Sequence, residues 1–240
     1  MNKLLLVLML VWWPTWVLAQ EIPEAVRKAA ADLAGDGERV GISPAAMPGL
    51  YEVIIGPYVV YLSADGNYLM RGEMIDLQTR RNLTAAVRNH ARAGVIDAID
   101  VSGMIVFSAD KPKHVVTVFT DVDCGYCAKL HREMNQYLAE GISVRYIAFP
   151  RAGIPSSSYE TMVSVWCADD PRKTIGDAKA RRPVPPKKCP NPVAEHYETG
   201  RLLGVRGTPT IVMETGDVVP GYMPAKKLSE AIVESKANSS

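Results

Sequence analysis

The sequence lacks what several large classes of protein require. Its formal net charge is only +1, from 27 Lys and Arg against 26 Asp and Glu, so it has no single-sign field with which to follow a phosphate backbone. Nucleic-acid binding is excluded on that ground. Apolar residues make up 48% and charged residues 22%, which is neither the polar excess of a disordered chain nor the glycine repeat of a collagen. The apolar stretch from Leu4 to Leu18 is broken by Pro14 and falls short of the roughly 20 residues needed to span a bilayer. No cysteine, titratable cluster or glycine-rich phosphate loop occurs before residue 80, and no internal repeat is visible. Cysteine is scarce throughout, with four in 240 residues.

What is present begins with an address. Lys3 precedes the apolar stretch, and Val17-Leu18-Ala19 offers a small residue for cleavage, a pattern that predicts a Sec signal peptide over residues 1–19, cut after Ala19. Trp12, Trp13 and Trp16 would leave with it, and the mature chain would be formally neutral. Export leads to an oxidising compartment in which the four cysteines can pair.

Two textures follow. Residues 21–35 read as an amphipathic helix with Val26, Ala29, Ala30 and Leu33 on one face. Strands are expected at Leu50–Ile55, Tyr58–Leu62 and Tyr68–Met74, separated by Gly56-Pro57 and by a turn over 63–67. Leu83, Ala86, Val87, His90, Ala91 and Gly94 form a helical stripe, with His90 read as a packed or capping residue. From about residue 98 the pattern becomes that of an α/β domain around one sheet. Strands are expected at His114–Phe119, Ile142–Phe149, Thr210–Met213 and Asp217–Val219, and helices at Ala128–Glu140 and Ala225–Lys236. Residues 155–204 form an insertion, with a proline-rich, rigid connection over 183–192.

Cys124-Gly125-Tyr126-Cys127 lies where a strand gives way to a helix, so Cys124 is expected beside the helix's free N–H groups, which stabilise a thiolate. That makes Cys124 the candidate nucleophile and Cys127 the deeper, resolving partner. A c-type haem is excluded because Ala128, not histidine, follows Cys127. A zinc site could recruit His131, but neither Cys167 nor Cys189 repeats the paired spacing, and a purely structural short-loop disulfide is the other alternative. Pro209, in Gly207-Thr208-Pro209-Thr210, marks a strand entrance or bulge, and propensity alone makes its peptide bond trans.

A redox helix followed by a proline opening a hairpin resembles the thioredoxin superfamily. More specifically, His114–Cys127, Val144–Arg151, Trp166-Cys167-Ala168, Gly207-Thr208-Pro209 and Val219-Pro220-Gly221-Tyr222 resemble the DsbC/DsbG family of periplasmic thiol:disulfide isomerases. The resemblance implies an α+β molecule: a cystatin-like dimerisation domain over 20–80, a helical linker over 81–97, and a thioredoxin-like catalytic domain with a helical insertion over 98–240. It implies a periplasmic homodimer that needs neither metal nor cofactor. Its substrates would be misfolded exported proteins with non-native disulfides, and a membrane thiol reductase of the DsbD type would recharge it. Cys124 matches the attacking cysteine and Cys127 the resolving one; Gly125 and Tyr126 lie between them, Thr208-Pro209 is the cis-proline pair that meets substrate, and Cys167 and Cys189 form a buried structural disulfide. A reductase of single cysteines, as in the DsbG group, and a holdase chaperone are the alternatives.

Three departures from the pattern matter, the first being Ala128 in the position after Cys127, which is often histidine in the family. Asp123 adds a carboxylate directly before Cys124, which is expected to disfavour the thiolate. Val118 stands where thioredoxins carry a buried carboxylate, so proton transfer at Cys127 needs another group or water. Asp121 and Asp123 are candidates, with solvated loop positions the simpler reading for both. The basic stretch of Lys173, Lys179, Arg181, Arg182, Lys187 and Lys188 reads as a solvated surface.

Overall fold

The computed structural model describes residues 21–35 and 40–239, and the expected signal peptide lies outside them. Helix α1 (Glu24–Ala34) buries Val26 and Ala30 and stops at Gly35, whose φ of +74° only glycine adopts freely. Leu33, expected on the buried face, is exposed.

The helix packs on an antiparallel sheet of β1 (Val40–Pro44), β2 (Leu50–Ile55), β3 (Tyr58–Ser63) and β4 (Leu69–Met70), in that order. Tyr51, Val53, Val60 and Leu62 close a small core with α1. Strand β1 was not expected, because Gly41 and Pro44 mask its pattern. The strand expected over Tyr68–Met74 shrinks to the two residues of β4. Tyr68, Leu69 and Met70 are all exposed, so no inward face drives further pairing. Met74 is drawn away instead: its N–H donates to Thr84 Oγ1 at 2.7 Å, and its carbonyl accepts from Leu83 N at 2.8 Å.

Helix α2 (Leu83–Asp97) starts at Asn82, whose side chain accepts from Ala85 N at 2.9 Å. His90 is exposed and neither packs nor caps; Thr84 and Ile96, near the two ends, are the helix's buried residues.

The second sheet has the order β5 (Ile105–Phe107), β7 (Ile142–Ala148), β6 (His114–Thr120), β8 (Thr210–Met213) and β9 (Val218–Pro220). Only β6 and β7 run parallel. They are central and largely buried, which is why they read as nearly continuous apolar runs. The single helix expected over 128–140 is two, α3 (Gly125–Arg132) and α4 (Met134–Ala139), broken at Glu133. There φ is −95° and ψ is 10°, and the Glu133 carboxylate accepts from the Tyr222 hydroxyl. Beyond the break, Met134 and Tyr137 are buried.

The insertion supplies α5 (Ser157–Trp166), α6 (Pro171–Lys179) and α7 (Val193–Leu202), and α8 (Ala225–Ser239) packs beside α4. A disulfide joins Cys167 to Cys189. Cys167 is buried at the end of α5, but Cys189 lies at the surface among prolines, so the bond is only half a buried staple.

Candidate active site

The site is built where β6 ends. Its β-branched run delivers the chain to the loop 121–124, and Cys124 then acts as the N-cap of α3. Cys127 N–H points at Cys124 Sγ across 3.3 Å, so a free helix amide is directed at the sulfur. On the other side, the thiol form of Cys124 donates to Thr208 O at 3.0 Å, which brings the proline loop against the cysteine from 84 residues away. The Thr208-Pro209 peptide bond is cis, not trans as propensity alone suggests. Pro209 is buried behind it, while Gly125 and Tyr126 are exposed at the rim. Tyr126 stacks on Tyr222, and Lys129 Nζ lies 4.4 Å from the centre of the Tyr222 ring. Beside the proline loop runs a groove of about 390 Å³, lined by Thr208, Pro209, Val218, Pro220, Gly221 and, from α2, Arg92.

The two cysteines are electrostatically unlike. Hydrogen bonding from the Cys127 thiol does most to lower the Cys124 pKa, to about 5, overcoming the opposing effect of burial; the Thr208 hydroxyl, the Cys127 amide and the Arg151 charge add to it. Burial pushes Cys127 in the opposite direction, well above the ordinary thiol value. At neutral pH the pair therefore holds one thiolate and one thiol, with the charge on Cys124.

The aspartates divide differently from expectation. Asp123 is exposed, and the charge among the largest influences on Cys124 is the favourable one of Arg151. Asp121, expected in a solvated loop, is buried. Its carboxylate accepts from Asp123 N at 2.8 Å, Arg151 N at 2.9 Å and Arg151 Nε at 3.0 Å. Asp121 thus fixes the loop before Cys124 and aims Arg151 at the site. His131, weighed as a zinc ligand, has Nδ1 3.3 Å from the Tyr146 hydroxyl. Burial, helped by the charge of Lys179, lowers its pKa to about 4 and keeps it neutral.

The basic stretch is not uniformly solvated either. Lys173 and Arg182 pair with Asp177, and Lys187 with Asp169, at the surface. Lys179 is buried, its ammonium donating to Thr120 Oγ1 at 2.7 Å and Asp121 O at 3.2 Å. Sequence reasoning missed it, although a signal was available: Ile175, Ala178 and Lys179 occupy i, i+3 and i+4, and all three lie on the buried face of α6. Arg151 was also missed as a site residue, because it faces Cys124 only after β7 has run beside β6.

Two family descriptions match the sequence: a thioredoxin-like domain over residues 103–236, and a disulfide bond isomerase protein N-terminal domain over residues 17–85. The thiol:disulfide interchange protein DsbC of Escherichia coli K12 is 41% identical over 193 residues, 80% of each chain. DsbC of Salmonella typhimurium is 40% identical over 216 residues, 90% of this chain and 89% of that one. The chain belongs to the DsbC family. As a DsbC-family member it is a thiol:disulfide oxidoreductase of the disulfide-isomerase type, with a DsbC-type N-terminal domain and a thioredoxin-like C-terminal domain. A crystal structure of a disulfide interchange protein from Neisseria gonorrhoeae superimposes with a TM-score of 0.51 at 31% identity. The match covers 57% of this DsbC-family chain and 99% of the other.

Proposed function

We propose that the protein is a periplasmic isomerase that reshuffles incorrect disulfides in exported proteins through a mixed disulfide at Cys124. The observation that carries this reading is the asymmetry of the pair: a Cys124 pKa of about 5 beside a Cys127 thiol pushed upward. The Cys124 thiolate attacks one sulfur of a substrate disulfide, forming the mixed disulfide and expelling the other substrate sulfur as a thiolate. That thiolate attacks elsewhere in the substrate, and return of a substrate thiolate to the mixed disulfide expels Cys124 unchanged. A low-pKa thiol is a good leaving group, so the same property that arms Cys124 also frees it. If rearrangement stalls, Cys127 resolves the complex and leaves the enzyme oxidised, to be recharged by a membrane thiol reductase of the DsbD type.

In this reading residues 98–240 do the chemistry, with Gly125 and Tyr126 at the rim. Thr208 and Pro209 receive extended substrate as an added strand. Cys167 and Cys189 are structural, and closing the chain between them stabilises the fold by about 3 kcal/mol in the chain-entropy model. Residues 20–80 dimerise the protein, residues 81–97 link the domains, and residues 1–19 direct export. The apolar cleft between protomers gives the dimer its chaperone capacity.

Refolding of a scrambled multi-disulfide protein tests the reading. Cys124→Ala should abolish regain of native pairing and leave any suppression of aggregation intact. Reshuffling by that variant would remove Cys124 from its role, whereas reduction of substrate without reshuffling by the wild type would favour the single-cysteine reductase.

A further inference from the structure

The resolving step poses a problem that the Cys124 environment does not solve. Cys127 is buried, its pKa is driven upward mainly by that burial, and Val118 supplies no carboxylate to take part. Cys127 must nevertheless carry negative charge as it attacks. Removing a thiol proton in a dry site is costly unless a positive charge is already in position.

The insertion provides one. Lys179, at the end of α6, enters beneath α3, and its ammonium is held by Thr120 Oγ1 at 2.7 Å and Asp121 O at 3.2 Å. Backbone hydrogen bonding from the same Asp121 lowers the Cys127 pKa, so the residue whose carbonyl meets the lysine also favours the Cys127 thiolate. The Tyr146 ring lies 5.4 Å from the ammonium. The other titratable groups around Lys179 are neutral or already engaged, the Asp121 carboxylate being the one that also acts on its charge. His131 on α3 and Tyr146 on β7 are both held neutral by burial, and the Asp121 carboxylate is engaged by Arg151 and two backbone amides. Burial pulls the Lys179 pKa down, and Cys127, Cys124 and Asp121, in that order, push it back up.

We propose that Lys179 is a positioning residue for resolution, a buried cation that stabilises the Cys127 thiolate while it attacks the mixed disulfide. This rests on the Cys124 mechanism proposed above. In the step, the Cys127–Cys124 bond forms and the bond from Cys124 to the substrate sulfur breaks. The electron pair leaves with the substrate sulfur, and the proton released by Cys127 passes to solvent. Lys179 is charged before and after.

Stopped-flow reaction of the reduced protein with Ellman's reagent separates the two halves. The first thionitrobenzoate is released when Cys124 attacks, and the second when Cys127 resolves. In Lys179→Met the second phase should slow by at least about tenfold at neutral pH, equivalent to one unit in the Cys127 pKa, and its pH profile should move upward. The first phase should change less. Thr120→Val, which removes the hydroxyl holding the ammonium while keeping a β-branched strand residue, should move the second phase the same way by a smaller factor. An unchanged second-phase rate and pH profile in folded Lys179→Met overturns the proposal; if that variant does not fold, an unchanged profile in Thr120→Val does so. Absence of the first phase in the wild type would instead refute the Cys124 mechanism.

Discussion

Within the reduced pair, Cys124 and Cys127 give folding stability opposite pH dependences. The folded pKa of Cys124 is about 5, against an ordinary thiol value of 9.0. Between those two values the unfolded chain still holds a proton that the folded chain has released. The contribution of Cys124 therefore rises with pH through that window, is complete above about 9 and is absent below about 5. Cys127 is raised instead, so above about 9 the folded chain retains a proton that the unfolded chain has lost, and stability falls. The disulfide form titrates neither sulfur. Urea denaturation of the two redox forms should thus give a reduced-minus-oxidised difference that grows from pH 5 to 9 and turns over above; a flat difference across that window would contradict the assigned thiolate. The nucleophile was legible because a cysteine entering a helix states its own environment. Arg151 and Lys179 were not, since each acts on the pair only after strands or helices distant in sequence have packed, and a lysine in a basic run reads as surface until its helical face is considered.

Among the secondary-structure elements, the contact between α2 and the β8–β9 hairpin depends on one glycine. Asn89 Nδ2 donates to Asp217 Oδ1 at 2.5 Å, and Arg92 Nη1 donates to Gly216 O at 2.6 Å, so α2 is bonded to the hairpin that follows the proline loop. Gly216 has φ +83°, and a Cβ there would lie 1.8 Å from Asn89 O, which is backbone and cannot swing aside. Gly216→Ala should cost at least about 1–2 kcal/mol for the positive φ alone and push α2 off the hairpin. Hydrogen exchange should then accelerate over residues 85–93 while the Cys124 titration stays in place; unaltered protection of α2 would show that the contact is incidental. The turn at 214–216 was readable from its Gly and Thr, but what rests on it was not, because α2 shows its apolar stripe plainly and its polar docking face not at all. The same limit explains β4 and the break at Glu133. Local pattern extends an element until a partner elsewhere, Thr84 for Met74 and Tyr222 for Glu133, takes its groups.

For the whole molecule, the division of labour between the two sheets makes a separable prediction. The groups that do most to set the Cys124 pKa, namely Cys127, Thr208 and Arg151, come from the second sheet and its connections. A chain lacking residues 20–80 should therefore keep a thiolate at Cys124 with a pKa near 5 and react with Ellman's reagent at close to the full-length rate. It should also sediment as a monomer and lose most of its capacity to reshuffle scrambled proteins, because reshuffling needs a substrate held through several exchanges whereas a single attack does not. The two readouts are independent: a truncated chain that stayed dimeric would take dimerisation away from the first sheet, and a monomer that reshuffled at the full-length rate would leave the paired cleft without a function.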